Sequence, residues 1–196
     1  MTKILVTGGA GYIGSHTLVE LSINKFEPII VDNLCNTSIQ NIKGVEKIIS
    51  KRLPFYNIDC TNEEALNDVF EQEKNIEGAI HFAGYKSVEE SVREPEKYHS
   101  NNIGSLQVLL NVMKKHKVDN IIFSSSCTVY SSPDVLPVSE SVPFKKAESP
   151  YGETKQLCEE LLNKTDISSI SLRYFNPIGS HESGLIGDCS SDKASN

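Results

Sequence analysis

Tyr151 and Lys155 stand at the two ends of Tyr151-Gly152-Glu153-Thr154-Lys155. On a helix, a spacing of four puts both side chains on one face. A free phenol titrates near ~10 and is a poor base at neutral pH, but an ammonium group close by favours the phenolate. The pair therefore suits proton abstraction from a hydroxyl, and the ammonium can also donate to a ribose. Such a pair also arises by chance in many sequences. It gains weight from Ser124-Ser125-Ser126, which ends the apolar run Ile121-Ile122-Phe123. A hydroxyl of Ser126 can bridge Tyr151 and a sugar hydroxyl. A serine-rich turn that only caps backbone groups accounts for the same three residues.

The third feature is Thr7-Gly8-Gly9-Ala10-Gly11-Tyr12-Ile13-Gly14, with glycines at 8, 11 and 14 directly after the apolar run Ile4-Leu5-Val6. Between a strand and a helix, that pattern is a dinucleotide fingerprint. Gly8 permits the tight turn, Gly11 admits a pyrophosphate close to the backbone, and Gly14 lets the helix pack against the sheet. The helix N-terminus then offers N–H groups and the positive end of its dipole to the phosphates. Asp32 follows the run Pro28-Ile29-Ile30-Val31, 18 residues beyond Gly14. Its carboxylate can accept from the adenosine ribose hydroxyls and would repel a 2′-phosphate. No Arg or Lys lies between Asp32 and Gln40, so the expected cofactor is NAD rather than NADP. A plain helix-capping role is the other reading of Asp32.

These residues need a scaffold that brings strand ends together. Apolar runs at 4–6, 28–31, 55–58, 79–82, 121–123 and 170–173 read as strands. Between them lie helical stretches at about 12–23, 39–51, 63–73, 95–116 and 151–163. Leu106, Leu109, Leu110 and Met113 share one face of the fourth. Short all-apolar strands separated by helices imply a parallel sheet covered on both faces. The fold class is thus α/β, a doubly wound parallel sheet of Rossmann type. The domain reading is a cofactor-binding unit over 1–178 and a loop or disordered remnant over 179–196. Residues 131–150, with four prolines, read as a long loop.

The 196 residues suit one such domain. A formal net charge of −7 argues against nonspecific nucleic-acid or membrane-surface binding. No apolar run approaches the ~18 residues of a membrane span, and Met1-Thr2-Lys3 runs straight into a strand with no signal peptide. The five cysteines are scattered without CxxC spacing. They read as reduced thiols of a cytoplasmic protein, with no metal site.

Five stretches carry a resemblance: VTGGAGYIGSH (6–16), VDNLCN (31–36), HFAGYKSVEESV (81–92), SSSCTVY (124–130), and SPYGETK (149–155) with SLRYFNPIGSH (171–181). The chain resembles the extended short-chain dehydrogenase/reductases and, within them, the UDP-glucose 4-epimerases. The resemblance implies interconversion of UDP-glucose and UDP-galactose by NAD-mediated oxidation and re-reduction at sugar C4. It implies cofactor contacts from Gly8, Gly11, Tyr12, Ile13, Gly14, Asp32 and Asn33. It adds Asp59, Cys60, Phe82, Ala83, Gly84, Lys86 and Asn101 to that group. Ser126, Tyr151 and Lys155 match the catalytic residues, Tyr151 and Lys155 also touching the cofactor. Tyr174 and Phe175 match neighbours of the nicotinamide. Lys86, Ser126, Tyr151 and Asn176 match contacts to the UDP-sugar. A homodimer through helices near 95–116 and 151–163 is implied in the same way.

The family pattern fades after Gly187, the connection 161–170 is short, and Ser131 stands where a glycine commonly follows TVY. The expectation is a chain cut short, with the substrate domain largely missing, weak UDP-sugar binding and little activity alone. Two alternatives stay open. One is another NAD-dependent nucleotide-sugar enzyme, a decarboxylase or a 4,6-dehydratase. The dehydratases carry an Asp-Glu acid pair where this sequence has Cys127 and Thr128. The other is a noncatalytic NAD-binding module.

Overall fold

The computed structural model describes residues 1–189. The last part of the loop expected over 179–196 therefore lies outside the described residues. Six strands form the scaffold: β1 (Lys3–Thr7), β2 (Glu27–Val31), β3 (Phe55–Tyr56), β4 (Ile76–His81), β5 (Asn120–Ser126) and β6 (Ser168–Tyr174). All pair in parallel in one sheet of order β3-β2-β1-β4-β5-β6. The chain leaves β1 for one side of the sheet and returns at β4 on the other. A crevice therefore opens between the carboxyl ends of β1 and β4, where doubly wound sheets bind ligands.

The helices are α1 (Tyr12–Ile23), α2 (Ile39–Ile49), α3 (Glu63–Glu73), α4 (Val88–Arg93), α5 (Pro95–Tyr98), α6 (Gly104–Lys115) and α7 (Pro150–Asn163). Strand side chains alternate between faces, and the core divides accordingly. Leu5, Ile29, Val31, Ala79, Ile121 and Phe123 pack with α3, α6 and α7. Val6 and Ile30 pack with Leu18 and Val19 of α1 and Ile42 and Val45 of α2. On β6, Ile170 is 61% exposed and Leu172 39%. The expected covering of both faces thus stops short of this edge among the described residues.

Three local details differ from the sequence expectation. The third strand has two residues rather than four, because Asn57 and Ile58 turn away and Asp59 accepts from the amide and hydroxyl of Thr61. The segment 88–93 is helical, started by Ser87, whose hydroxyl accepts from the Glu90 amide at 3.1 Å. The long helix near 95–116 is interrupted by a π-helical turn, His99–Ile103. Such turns widen a helix locally and are common at functional sites; here the turn carries Asn101 and Asn102.

Candidate functional site

The glycine turn is built by close backbone approach. Gly8 has φ +67°, and a Cβ there would lie 2.6 Å from the Ala83 nitrogen. A Cβ at Gly14 would lie 2.3 Å from the Gly8 carbonyl oxygen. Only glycine fits either position without moving main chain. Gly11 is the N-cap of α1 and makes no side-chain bond to its first turn, which leaves the amide end of the helix to the crevice.

The residues singled out in the sequence converge on one cavity of about 960 Å³, a size suited to a large organic ligand. One bank holds Gly8, Gly11, Tyr12, Ile13, Gly14, Asp32 and Asn33, with Asp59 and Cys60 at its end. The opposite bank holds Phe82, Ala83, Gly84, Lys86 and Asn101. Ser126, Tyr151 and Lys155 line the end beyond β5, and Tyr174, Phe175 and Asn176 close it from β6.

At that end, Ser149 caps α7 by accepting from the Gly152 amide at 3.1 Å, and Pro150 occupies the first turn. Both devices are favourable for a helix start. They set Tyr151 on the first turn and Lys155 one turn on. Lys155 Nζ donates to the Ser124 carbonyl at 2.8 Å and lies 4.8 Å from the Phe123 ring centre and 5.8 Å from that of Tyr151. Ser126 closes β5, and its hydroxyl accepts from the Thr128 amide at 3.3 Å. A hydroxyl, a phenol and an ammonium thus face one space at the crevice end. Thr128 Oγ1 is buried and makes no hydrogen bond among the described residues.

The cavity's other end is acidic and tightly bonded. Asp32 accepts from the amides of Ala10 at 3.0 Å and Leu34 at 2.9 Å. Burial pushes its carboxyl above the usual range, and those two bonds oppose the shift. Burial also works against the charge on Asp59, but hydrogen bonds from Thr61 and Asn33 outweigh it and hold that carboxyl below the usual range. Burial, with Asp32 and Asp59 near, raises the Cys60 thiol to about 12. Cys60 therefore serves the wall as an uncharged thiol.

Several residues that shape the site were not singled out in the sequence. Asn102, on the π-helical turn, accepts from the Tyr85 amide at 2.8 Å and donates to the Tyr85 carbonyl at 3.0 Å. It thereby fixes the loop after β4. An amide inside an apolar helical pattern was the only signal. His81, wholly buried, bonds Thr7 Oγ1 at 2.7 Å. Glu159, buried, and Arg173, partly buried, form an ion pair behind Ser125. Nothing local marks either, since their partners are far away in the chain.

Residues 4–189 match the model of the NAD dependent epimerase/dehydratase family. The UDP-glucose 4-epimerase of Dictyostelium discoideum is 49% identical over 199 residues, covering 99% of this chain and 57% of that protein. That of Bacillus subtilis is 47% identical, covering 94% and 56%. The crystal structure of UDP-glucose 4-epimerase from Bifidobacterium longum in complex with NAD+ and UDP superposes with a TM-score of 0.95 at 44% identity, over 100% of this chain and 59% of that one. The Stenotrophomonas maltophila enzyme with bound NAD and formylated UDP-arabinopyranose gives 0.94 at 39% identity, with the same two coverages. The chain spans a little over half the length of the curated relatives it matches.

Proposed function

The chain belongs to the NAD dependent epimerase/dehydratase family, and on that premise we propose that it carries the NAD site and the proton-transfer residues of an enzyme that interconverts UDP-glucose and UDP-galactose. One observation carries the reading. Ser126, Tyr151 and Lys155 share a single cavity with the glycine turn and Asp32. The residues fit NAD: Gly8 and Gly14 leave no room for a Cβ, the first turn of α1 is uncapped by side chains, and the Asp32 carboxylate after β2 lines the same cavity.

NAD held there would supply a reversible hydride acceptor for sugar C4. The protein's part is to position and to move a proton. The amide end of α1 holds the pyrophosphate. Asp32 accepts from the ribose hydroxyls and disfavours a 2′-phosphate. Lys155 would hold the nicotinamide ribose, its Nζ lying 5.8 Å from the Tyr151 ring centre. Tyr151 takes the proton of the sugar 4-hydroxyl, directly or through Ser126. It gives the proton back after the 4-keto sugar has turned its other face. Lys86 and Asn176 hold the UDP-sugar, and Tyr174 and Phe175 wall the nicotinamide.

Relatives named UDP-glucose 4-epimerase support the choice of reaction. So do Cys127 and Thr128, neither of them an acid suited to removing water. The test is a single-turnover incubation of the protein with NAD and UDP-galactose, protein in excess, with products separated by chromatography. UDP-glucose is the expected product; a stable 4-keto-6-deoxy sugar overturns the reading. In a chain extended to the length of its relatives, Tyr151→Phe should lower the rate by orders of magnitude while sparing NAD uptake. Retained turnover removes Tyr151 from the mechanism.

We further place the protein in the cytoplasm, as five free thiols suit. Among the described residues no helix is long and apolar enough to cross a membrane. The proposal includes a homodimer, supported by exposed Val88 and Val92 on α4 and Leu157 on the neighbouring α7.

A further inference from the structure

Beyond β6 the chain lines the crevice as far as Gly179 and returns to it at Asp188. Pro177, Ile178, Gly179 and Asp188 all line the same cavity as the glycine turn. The segment between them is fastened at four places. At its start, the Tyr12 hydroxyl donates to the Gly179 carbonyl at 2.5 Å. At its middle, Ile186 is 3% exposed and joins the core under α1 and α2. At its end, Asp188 pairs with Lys86 at 3.4 Å, on the opposite bank. The buried amide of Asn41 donates both to Ala10 in the glycine turn, at 2.9 Å, and to the Gly187 carbonyl, at 3.1 Å. One side chain therefore ties the phosphate turn to this segment.

The seat in α2 is made for it. A Cβ at Gly44 would lie 2.2 Å from the Leu185 carbonyl oxygen and 2.7 Å from Ile186 Cγ2. Glycine is a poor residue for the interior of a helix, and α2 has it where the segment needs the space.

We propose that residues 179–188 are a strap that retains the dinucleotide, and that Gly44, Asn41 and Ile186 are the residues that hold it shut. The inference rests on the NAD reading above. The strap crosses from the α1–α2 bank to Lys86, so a ligand lying along the glycine turn leaves only when the strap lifts. Retention is then set by how firmly Ile186 and the Gly187 carbonyl sit on α2, apart from any contact made by the catalytic residues.

The test is the release rate of NADH from the loaded chain, followed by the loss of bound NADH fluorescence after a chase with excess NAD. Gly44→Ala should favour α2 as a helix while unseating the strap. Ile186→Ser removes the anchor and leaves α2 untouched. Both are expected to release NADH at least tenfold faster, equivalent to about 1.4 kcal/mol, with circular dichroism like that of the parent. Normal uptake with unchanged release from either folded variant overturns the strap alone. Failure of the parent chain to take up NADH or NAD overturns the cofactor reading and the strap with it.

Discussion

Both oxygens of Asp32 are engaged within the protein, one by the Ala10 amide and one by the Leu34 amide. A carboxylate offers about four lone-pair sites, so each oxygen can still accept from a ribose hydroxyl. The backbone bonds hold the group in place before any ligand arrives. Asp32→Asn would set an amide NH₂ against one of those backbone donors and remove the charge. A hydrogen bond to a charged group is worth about 1.5–3 kcal/mol. NAD should therefore bind roughly 10- to 100-fold more weakly to the variant. The preference for NAD over NADP should narrow, because the repulsion of a 2′-phosphate is gone. Titration calorimetry with both dinucleotides measures this, and unchanged NAD affinity would remove Asp32 from the site. The aspartate was legible from its place after an apolar run. Its bond from the Ala10 amide was not, because Ala10 is 22 residues away in the chain.

Between elements, the connection that matters most to the catalytic end is the one among α7, β5 and β6. Glu159 on α7 takes Arg173 of β6 at 2.7 and 3.0 Å, and the Ser125 hydroxyl donates to the same carboxylate at 2.5 Å. Arg173 also donates to the Tyr130 hydroxyl at 2.9 Å and the Glu140 carbonyl at 3.1 Å. The Glu159 carboxylate raises the guanidinium pKa further, so Arg173 stays charged. Side chains 6% and 18% exposed make this a largely buried pair, and removing Arg173 would strand the buried Glu159 charge at a cost that approaches the ~3–5 kcal/mol of a fully buried pair. Arg173→Met should show that loss in urea unfolding. The double variant Glu159→Gln/Arg173→Met should be less destabilised than the sum of the two singles, because no charge is then left unpaired. Strict additivity would mean that the two residues do not act as a pair. The helix carrying Tyr151 and Lys155 was legible from their spacing of four after a proline-rich loop. The ion pair that fixes it to the sheet was not, since Glu159 and Arg173 belong to different elements.

For the molecule as a whole, His81 links stability to pH. Burial, and then the nearby Lys155 charge, push its pKa down to about 3. An unfolded chain protonates this imidazole near ~6.5, whereas the folded chain keeps it neutral and bonded to Thr7. The contribution is therefore full above ~6.5 and is lost as pH falls toward 3. Linkage gives a loss of roughly 2 kcal/mol between pH 7 and pH 5. Urea unfolding at the two pH values should show it, and His81→Gln should abolish that share of the slope. An identical slope in the variant would mean that His81 is not the group responsible.

The sequence alone determined the features whose cause is local. Glycines at 8, 11 and 14 between a strand and a helix, a carboxylate after the second strand, and Tyr151 with Lys155 one turn apart are fixed by backbone geometry over a few residues. The alternation of apolar runs and helices likewise determined a doubly wound parallel sheet. Only the tertiary structure decided the strand order β3-β2-β1-β4-β5-β6, the π-helical turn that lets Asn102 hold the Tyr85 loop, and the seat of Ile186 against Gly44. Each depends on groups tens of residues apart meeting once the core has packed, and no short stretch of sequence carries that information.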